Sequence, residues 1–414
     1  MHGQEPQDSA RDECYNLRDI NQVMSLIKKI ISVVKYEVVE IAKSTIYRTA
    51  LLLLPLATIL FFGTMFYSGT IEDLPIAVID NDHTKSSCQL LSMVAATRGV
   101  EIANYTNSTI EAEDMLRRGD VYALLLIPEG LERNIYGAKS SNIECYVSGT
   151  NLSASGIIES EIQNSVRSFA AGVELAKLKA MGINSHDVMQ EVMPINFLTH
   201  IISNPYINYG YYLAPIFMFM ALAIFSTLIT TYAFGRELYY ASAPKWIATA
   251  SNNIAAAMIG KLLPITLIMA LFTQLIYFVL FVIMGMECVG SYLALSIGSV
   301  IFIAAYQSVA LFITTITANM RLALSLGGGY AVMAFTFSGI TFPTSAMFDV
   351  AQLLSNIFPL TWFSEIFIDQ AMRGAPLVYT FKPLLILSAF TLLPLPLITR
   401  LRRICTTPTY WSKD

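Results

Sequence analysis

Between Phe335 and Glu365 the chain sets a problem that few folds solve. It reads Phe335, Phe337, Ser338, Gly339, then Phe342, Pro343 and Met347, and after a gap Phe358, Pro359, Leu360, Thr361, Trp362, Phe363, Ser364 and Glu365. An apolar segment arrives from Leu322 and stops at Pro343 without crossing into a charged loop. A second apolar piece follows, broken at Pro359, and a further run starts near Pro383. Hydrocarbon offers no water to an opened backbone, so such breaks survive only when buried by protein or lining a wet cavity. The rest of the sequence has to supply that protein.

Composition agrees with a membrane setting. Charged residues make up 14% of the 414 residues, against about 25% in a soluble domain. The chain therefore reads as an integral membrane protein. Its net charge of −4, with no basic face or RNA-binding motif, argues against nucleic acid as a partner. Cys14, Cys88, Cys145, Cys288 and Cys405 show no CxxC spacing, so no zinc site or disulfide framework is indicated. Cys88 and Cys145 could pair if their domain is external; the plainer expectation is two small buried residues. The first long apolar run starts near Ile46, too late and too long for a cleavable leader, and reads as a retained anchor.

Taken in order, residues 1–22 form a polar tail. Residues 23–44 form an amphipathic helix, with Val23, Leu26, Ile27, Ile30, Ile31, Val34, Val38 and Ile41 on one stripe. Lys28, Lys29, Lys35, Glu40 and Lys43 fall largely opposite, the pattern of a helix lying in the membrane interface. Residues 45–69 hold the first span, preceded by lysines and Arg48, which puts its start in the cytoplasm. Residues 70–205 change to soluble composition. Strands are expected at 76–80, 100–103, 121–127 and 143–147, and helices at 84–98, 108–118, 128–136 and 154–181. The second helix opens with a Ser108-x-x-Glu111 capping box. Strands alternating with helices predict an α/β domain, external by the alternation of sides. The chain returns through Pro194 and Pro205. Further spans cover 208–232, 262–286, 291–316, 322–342 and 383–400, separated by a cytoplasmic loop at 233–261 and an external re-entrant segment at 343–382. Residues 401–414 form a cytoplasmic tail, with Arg400, Arg402 and Arg403 stopping transfer. The expected fold is thus an α-helical integral membrane protein of six spans. An external α/β domain follows the first span, and re-entrant helices lie between the fifth and sixth.

An enzyme reading fails on parts. GxSxG, HExxH and Walker A sequences are missing, and Gly260–Lys261 lacks the upstream glycine of a phosphate loop. His2, His83, His186 and His200 lack ligand spacing, so no metal is expected there. Asp80, Asn81 and Asp82 lack the continuation of a calcium loop and are expected to bond local backbone and cap the helix near Thr84. Gly327, Gly328 and Gly329 suit close helix approach. Glu365 and Asp369 would be polar contacts of the broken segment if they face a cavity; the favoured expectation is headgroup level in water, with Arg373 within helical reach of Asp369. The loop at 233–261, with Trp246 and Ile247, is longer than an ordinary connection and could dock on a soluble partner.

The assembled pattern resembles the permease subunits of bacterial type-2 ABC exporters, in the subfamily with a large external domain between the first two spans. The likeness covers nearly the whole chain. It rests on the topology, on Ile76 to Asp82, Val121 to Pro128 and Gly149 to Asn151 in the inserted domain, on Arg236–Glu237 and Gly260 to Pro264, and on the opening stretch. The resemblance implies an inner-membrane exporter that is a dimer of this chain or of it with a paralogue. It implies a separate ABC ATPase carrying ATP and magnesium, with no cofactor and no catalytic residue in this chain. A periplasmic adaptor and an outer-membrane channel are further implied partners. By the same likeness Arg236, Glu237, Lys245, Trp246 and Lys261 belong to the ATPase-coupling region. Phe342, Pro343, Phe358, Pro359, Thr361 and Trp362 belong to the external gate. The relatives' Gly-Thr pair after Arg-Glu is replaced here by Leu238 to Ser242, which bears on the ATPase contact. Two other readings remain: a membrane-anchored receptor or scaffold working through the external domain, and an ion-driven secondary transporter.

Overall fold

Among the described residues, six apolar helices are long enough to cross a membrane: Thr45–Met65, Gly210–Tyr239, Ile254–Ile283, Tyr292–Thr317, Met320–Phe337 and Leu377–Thr406. The computed structural model describes residues 5–67, 71–137, 139–180, 208–339 and 342–411, with Gly69 and Asn204. It divides into two units, Met1–Tyr67 with Ile202–Asp414, and Ser68–Ile201. The expected return through Pro194 and Pro205 lies outside the described residues.

In the helical unit, α1 (Glu5–Lys43) leads through Ser44 into α2 (Thr45–Met65). Helix α1 thus starts inside the stretch expected to be a polar tail. Then come α7 (Tyr209–Tyr239), the short α8 (Ala243–Thr249), α9 (Ile254–Ile283), α10 (Tyr292–Thr317) and α11 (Met320–Phe337). Two short helices, α12 (Asp349–Ser355) and α13 (Pro359–Phe367), precede α14 (Leu377–Phe390) and α15 (Ile398–Thr406). Four of the long helices share one start signal. Asn208, Asn253, Ser291 and Asn319 each accept the backbone N–H three residues on, a cap contributing about 1 kcal/mol. The Asn253 cap explains why α9 begins eight residues before the expected 262: the polar stretch up to Lys261 is already helix.

Helices α7 and α10 are the most enclosed, two thirds of each apolar window being buried. Ser226, Thr227, Thr230 and Thr231 of α7 are buried where α11 presents Gly327, whose position would bring a Cβ to 3.0 Å from Thr227. Gly327 thus makes the close approach expected of the glycine run, whereas a Cβ on Gly329 would meet nothing within 4 Å. The last span breaks at its prolines, a turn and a 3-10 helix at Leu395–Leu397 separating α14 from α15. Arg400 donates from Nε to the Thr315 carbonyl at 3.1 Å and from Nη2 to that of Ile316 at 2.8 Å. A cation there satisfies the open carbonyls ending α10 and suits its dipole.

The other unit is an α/β domain as its pattern predicts. β1 (Leu74–Asp80), β2 (Val100–Tyr105), β3 (Ala123–Ile127) and β4 (Glu144–Val147) form a sheet ordered β2-β1-β3-β4, parallel except for β4. Successive β1 side chains face opposite ways. Ile76 and Val78 join a core with Leu90, Val94 and Ile158, while Ala77 and Ile79 join Ala112 and Val121. Helices α3 (Lys85–Ala95), α5 (Leu131–Tyr136) and α6 (Leu152–Ala180) therefore cover one face, and α4 (Thr109–Arg118) covers the other.

Three local expectations need correction. Cys88 and Cys145 are free and exposed rather than buried. Ser108 does cap α4, but Glu111 turns its carboxylate to the Thr106 hydroxyl at 2.5 Å, so the reciprocal half of the box is unmade; the complete box is Thr84 with Ser87. Asp80 bonds the backbone N–H groups of Asp82 and His83 as expected, whereas Asp82 reaches across to the N–H groups of Gly130 and Glu132 at the start of α5.

Candidate functional site: a buried ionic cluster and an aromatic cluster

The amphipathic helix α1 does not pack by its most apolar stripe. Val33, Glu37 and Ile41 are buried, while Val23, Leu26, Ile27, Ile31 and Val38 stay exposed. The packed stripe carries a carboxylate at its centre because a cation waits on α9. A Cβ on Gly260 would lie 2.6 Å from Val33 Cβ and 2.8 Å from the Ile30 carbonyl oxygen. Only glycine permits so close an approach of α1, and the next residue is Lys261.

Lys261 is fully buried, and its ammonium donates to Glu37 Oε2 at 2.6 Å and Glu237 Oε1 at 2.8 Å. The Tyr47 hydroxyl donates to the other Glu37 oxygen at 2.5 Å, and the Ser242 hydroxyl donates to Glu237 Oε2. Two carboxylates and one ammonium leave the trio one negative charge in excess; the hydroxyls help to disperse it. The Trp246 ring lies 5.3 Å from the ammonium, within range of a cation–π contact. Beside them Arg236 donates to Glu40 Oε2 at 2.6 Å and lies 5.9 Å from the Tyr47 ring centre. Burial, with Glu237, Glu40 and Glu37 nearby, pushes the Tyr36 phenol well above its usual range, so it stays neutral. The cluster ties α1, α2, α7, α8 and α9 together at one end of the unit.

Of the residues singled out in the sequence, Arg236, Glu237, Trp246 and Lys261 meet here, Trp246 being fully buried; Lys245 points out into solvent. Sequence reasoning missed Glu37, Tyr47 and Ser242. The available signal was Lys261 itself, the only charged residue of a 24-residue apolar stretch, which requires a partner.

Roughly 27 Å away along α7, counting 1.5 Å per residue back from Glu237 to Phe219, the chain makes an aromatic cluster. Phe358 precedes α13, and Pro359 opens it as the first helical residue, where proline costs no hydrogen bond. Phe363 of α13 lies 4.6 Å from Phe219 and 4.4 Å from Phe302 between ring centres. Phe358 stacks on Phe337 at 5.5 Å. The Thr361 hydroxyl donates to the Phe337 carbonyl at 3.2 Å and the Ser364 hydroxyl to that of Ser338 at 2.9 Å. Trp362 donates to the Asn356 carbonyl at 3.1 Å and Tyr330 to that of Ile357 at 2.5 Å. The Thr361 and Ser364 bonds fasten the start of α13 to the end of α11, and the Tyr330 bond ties α11 to the residue before Phe358. Phe358 and Pro359 are buried, Thr361 and Trp362 half-buried, and Phe342 and Pro343 exposed. Glu365 is exposed. Asp369, favoured above as a water-exposed group, is instead buried and bridged by Arg373 at 3.1 Å. A π-helical turn at Ile368–Arg373 carries it there, and Gln370 of that turn accepts the Ser291 N–H at 2.9 Å.

These features define a multi-pass membrane protein whose helices are held by an ionic cluster at one end and an aromatic cluster at the other. The chain matches the model of the ABC-2 family transporter proteins over residues 47–400 and belongs to that family. It is a permease subunit of an ABC transporter, the transmembrane part rather than the ATPase, and membership implies an ABC ATPase partner. No curated protein and no solved structure matches it.

Proposed function

We propose that this chain is the permease of an ATP-driven exporter in a bacterial inner membrane, working as a dimer of itself or with a paralogue. Both termini are cytoplasmic and the α/β domain is external. The observation that carries the reading is the order of parts: an inserted α/β unit after the first of six apolar helices, and a pair of short helices between the fifth and sixth. A separate ATPase holds ATP and magnesium, and this chain needs no cofactor. The exposed face of α8, with Lys245, meets that ATPase. The buried cluster of Arg236, Glu237, Trp246 and Lys261 carries the displacement of α8 into α7 and α9. Phe342, Pro343, Phe358, Pro359, Thr361 and Trp362 form the external gate, over a path lined by α7 and α11. A periplasmic adaptor and an outer-membrane channel complete the export route.

Co-expression with its ATPase tests this. The two should co-purify, and inside-out vesicles should accumulate a hydrophobic dye only with ATP. Accumulation driven by an ion gradient without ATPase would overturn the mechanism.

A further inference from the structure

A groove of about 410 Å3 runs between α1 and the turn that follows α8. Ser25, Lys28, Lys29 and Ser32 line it from one side, Thr249 and Ser251 from the other. Its lining holds two cations and four hydroxyls, and no carboxylate. The ion pairs of α1 use Glu37, Glu40 and Lys43, so among the described residues neither groove lysine is matched by an acid. Ser32 and Thr249 already donate to the carbonyls of Lys28 and Trp246. The lysines, with Ser25 and Ser251, are thus left to donate to a ligand. Such a set suits the non-bridging oxygens of a phosphate.

The position of the groove narrows the source. Met24, Ile27 and Ile31, on the same stretch of α1, are about half exposed, and α1 passes within two residues into a helix fit to span the membrane. Apolar side chains exposed beside lysines on such a helix sit at the boundary of headgroup and acyl chain. A phosphate at that depth belongs to a lipid. A zwitterionic headgroup would bring its own ammonium to the lysines, so charge selects an anionic one. We propose that the groove seats the phosphate of an anionic phospholipid, holding α1 against the turn after α8.

Native mass spectrometry of the full chain, titrated with phosphatidylglycerol or phosphatidylcholine, tests this. A lysine near an anionic surface contributes ~1 kcal/mol, about fivefold in affinity. Lys28→Gln/Lys29→Gln should therefore weaken phosphatidylglycerol binding about 25-fold, and Lys28→Arg/Lys29→Arg should retain it. Lys35→Gln, exposed on α1 but outside the groove, should change little, and inorganic phosphate at millimolar concentration should not displace the lipid. Unchanged lipid binding in the double glutamine variant overturns the proposal, as does equal loss in Lys35→Gln or displacement by free phosphate. Should the double variant fail to stay monodisperse, the single glutamine variants carry the same test at about fivefold each. Weakened ATPase association with lipid binding intact would assign the groove to a protein partner and overturn the lipid.

Discussion

The Lys261 ammonium lies 2.6 Å from a Glu37 carboxylate oxygen although 224 residues separate them, and neither side chain is exposed. The bond joins the helix before the first span to the start of the third. Breaking a buried pair by removing one partner costs about 3–5 kcal/mol, because the other charge stays behind in a poor solvent. Lys261→Met leaves both Glu37 and Glu237 in that position and should lower the unfolding temperature in detergent strongly. Glu37→Gln keeps a polar group at the ammonium and removes the excess negative charge, so its cost should be much smaller. Thermal unfolding of the two variants checks the order; a milder Lys261→Met would refute the account.

The approach that makes this bond should be equally sensitive to volume. Gly260→Ala places a methyl 2.6 Å from Val33 Cβ and 2.8 Å from a backbone oxygen, neither a flexible end. Overpacking of this kind costs about 1–3 kcal/mol, and α1 must move off α9. Gly329→Ala, on α11, meets nothing within 4 Å, so it should be milder. Tryptic cleavage at Lys35 reports α1 lifting: faster in Gly260→Ala, near wild type in Gly329→Ala.

How much of this was legible depends on whether the signal was local. The strands of the α/β unit were readable because the signal is written in a few neighbouring residues, as in the short apolar run of β1. The site at Glu37 was not. Val33, Glu37 and Ile41 recur every fourth residue, yet an acid among β-branched neighbours reads as the polar face until its cation is known, and that cation is far away in sequence. The span boundaries slipped for a related reason. Hydropathy starts the third span only after Lys261, whereas the Asn253 cap starts the helix earlier and the ion pair makes the lysine tolerable inside it. At the aromatic cluster, Pro359 and the aromatic run were visible, but the bonds to the end of α11 depend on packing that no local pattern carries.

The bonds of Thr361 and Ser364 make a functional prediction. Thr361→Val and Ser364→Ala each remove a hydroxyl donor to a carbonyl at the end of α11 while leaving the ring stack intact. Each hydrogen bond contributes roughly 1 kcal/mol, so folding should survive, with the unfolding temperature a few degrees lower. If α13 is the gate, the double variant should leak: dye should equilibrate across proteoliposomes without ATP several-fold faster than wild type. Equal leak rates would separate these residues from gating.

The α/β unit carries its own pH dependence. Burial works to raise the pKa of Asp82, but the Thr84 hydroxyl and the N–H groups of Glu132, Gly130 and Leu131 outweigh it and hold the carboxyl below its usual value. A depressed folded pKa contributes stability that is complete above the unfolded value of about 3.9 and is lost as pH falls through the lower folded value. Amide exchange at Gly130 and Glu132, corrected for intrinsic rates, should stay slow at neutral pH and quicken below about pH 4. In Asp82→Asn both amides should be faster at neutral pH and show no acid step. An acid step that persists in the variant would assign it to another group.

Orientation can be read from thiols already in place. Cys88 is exposed on α3 and free, whereas Cys405 is buried in α15. With the other cysteines replaced by serine or alanine, a chain carrying Cys88 alone should react in intact cells with a membrane-impermeant maleimide, if the α/β unit is external. A chain carrying only an engineered Lys245→Cys, on the exposed face of α8, should stay unlabelled until the membrane is opened. The pair matters because each controls for the other: Cys88 tests whether the reagent reaches an outside thiol, and Lys245→Cys whether it leaks in. Labelling of Lys245→Cys alone in intact cells would invert the topology, and would carry the ATPase-facing role of α8 and the gate role of α13 down with it.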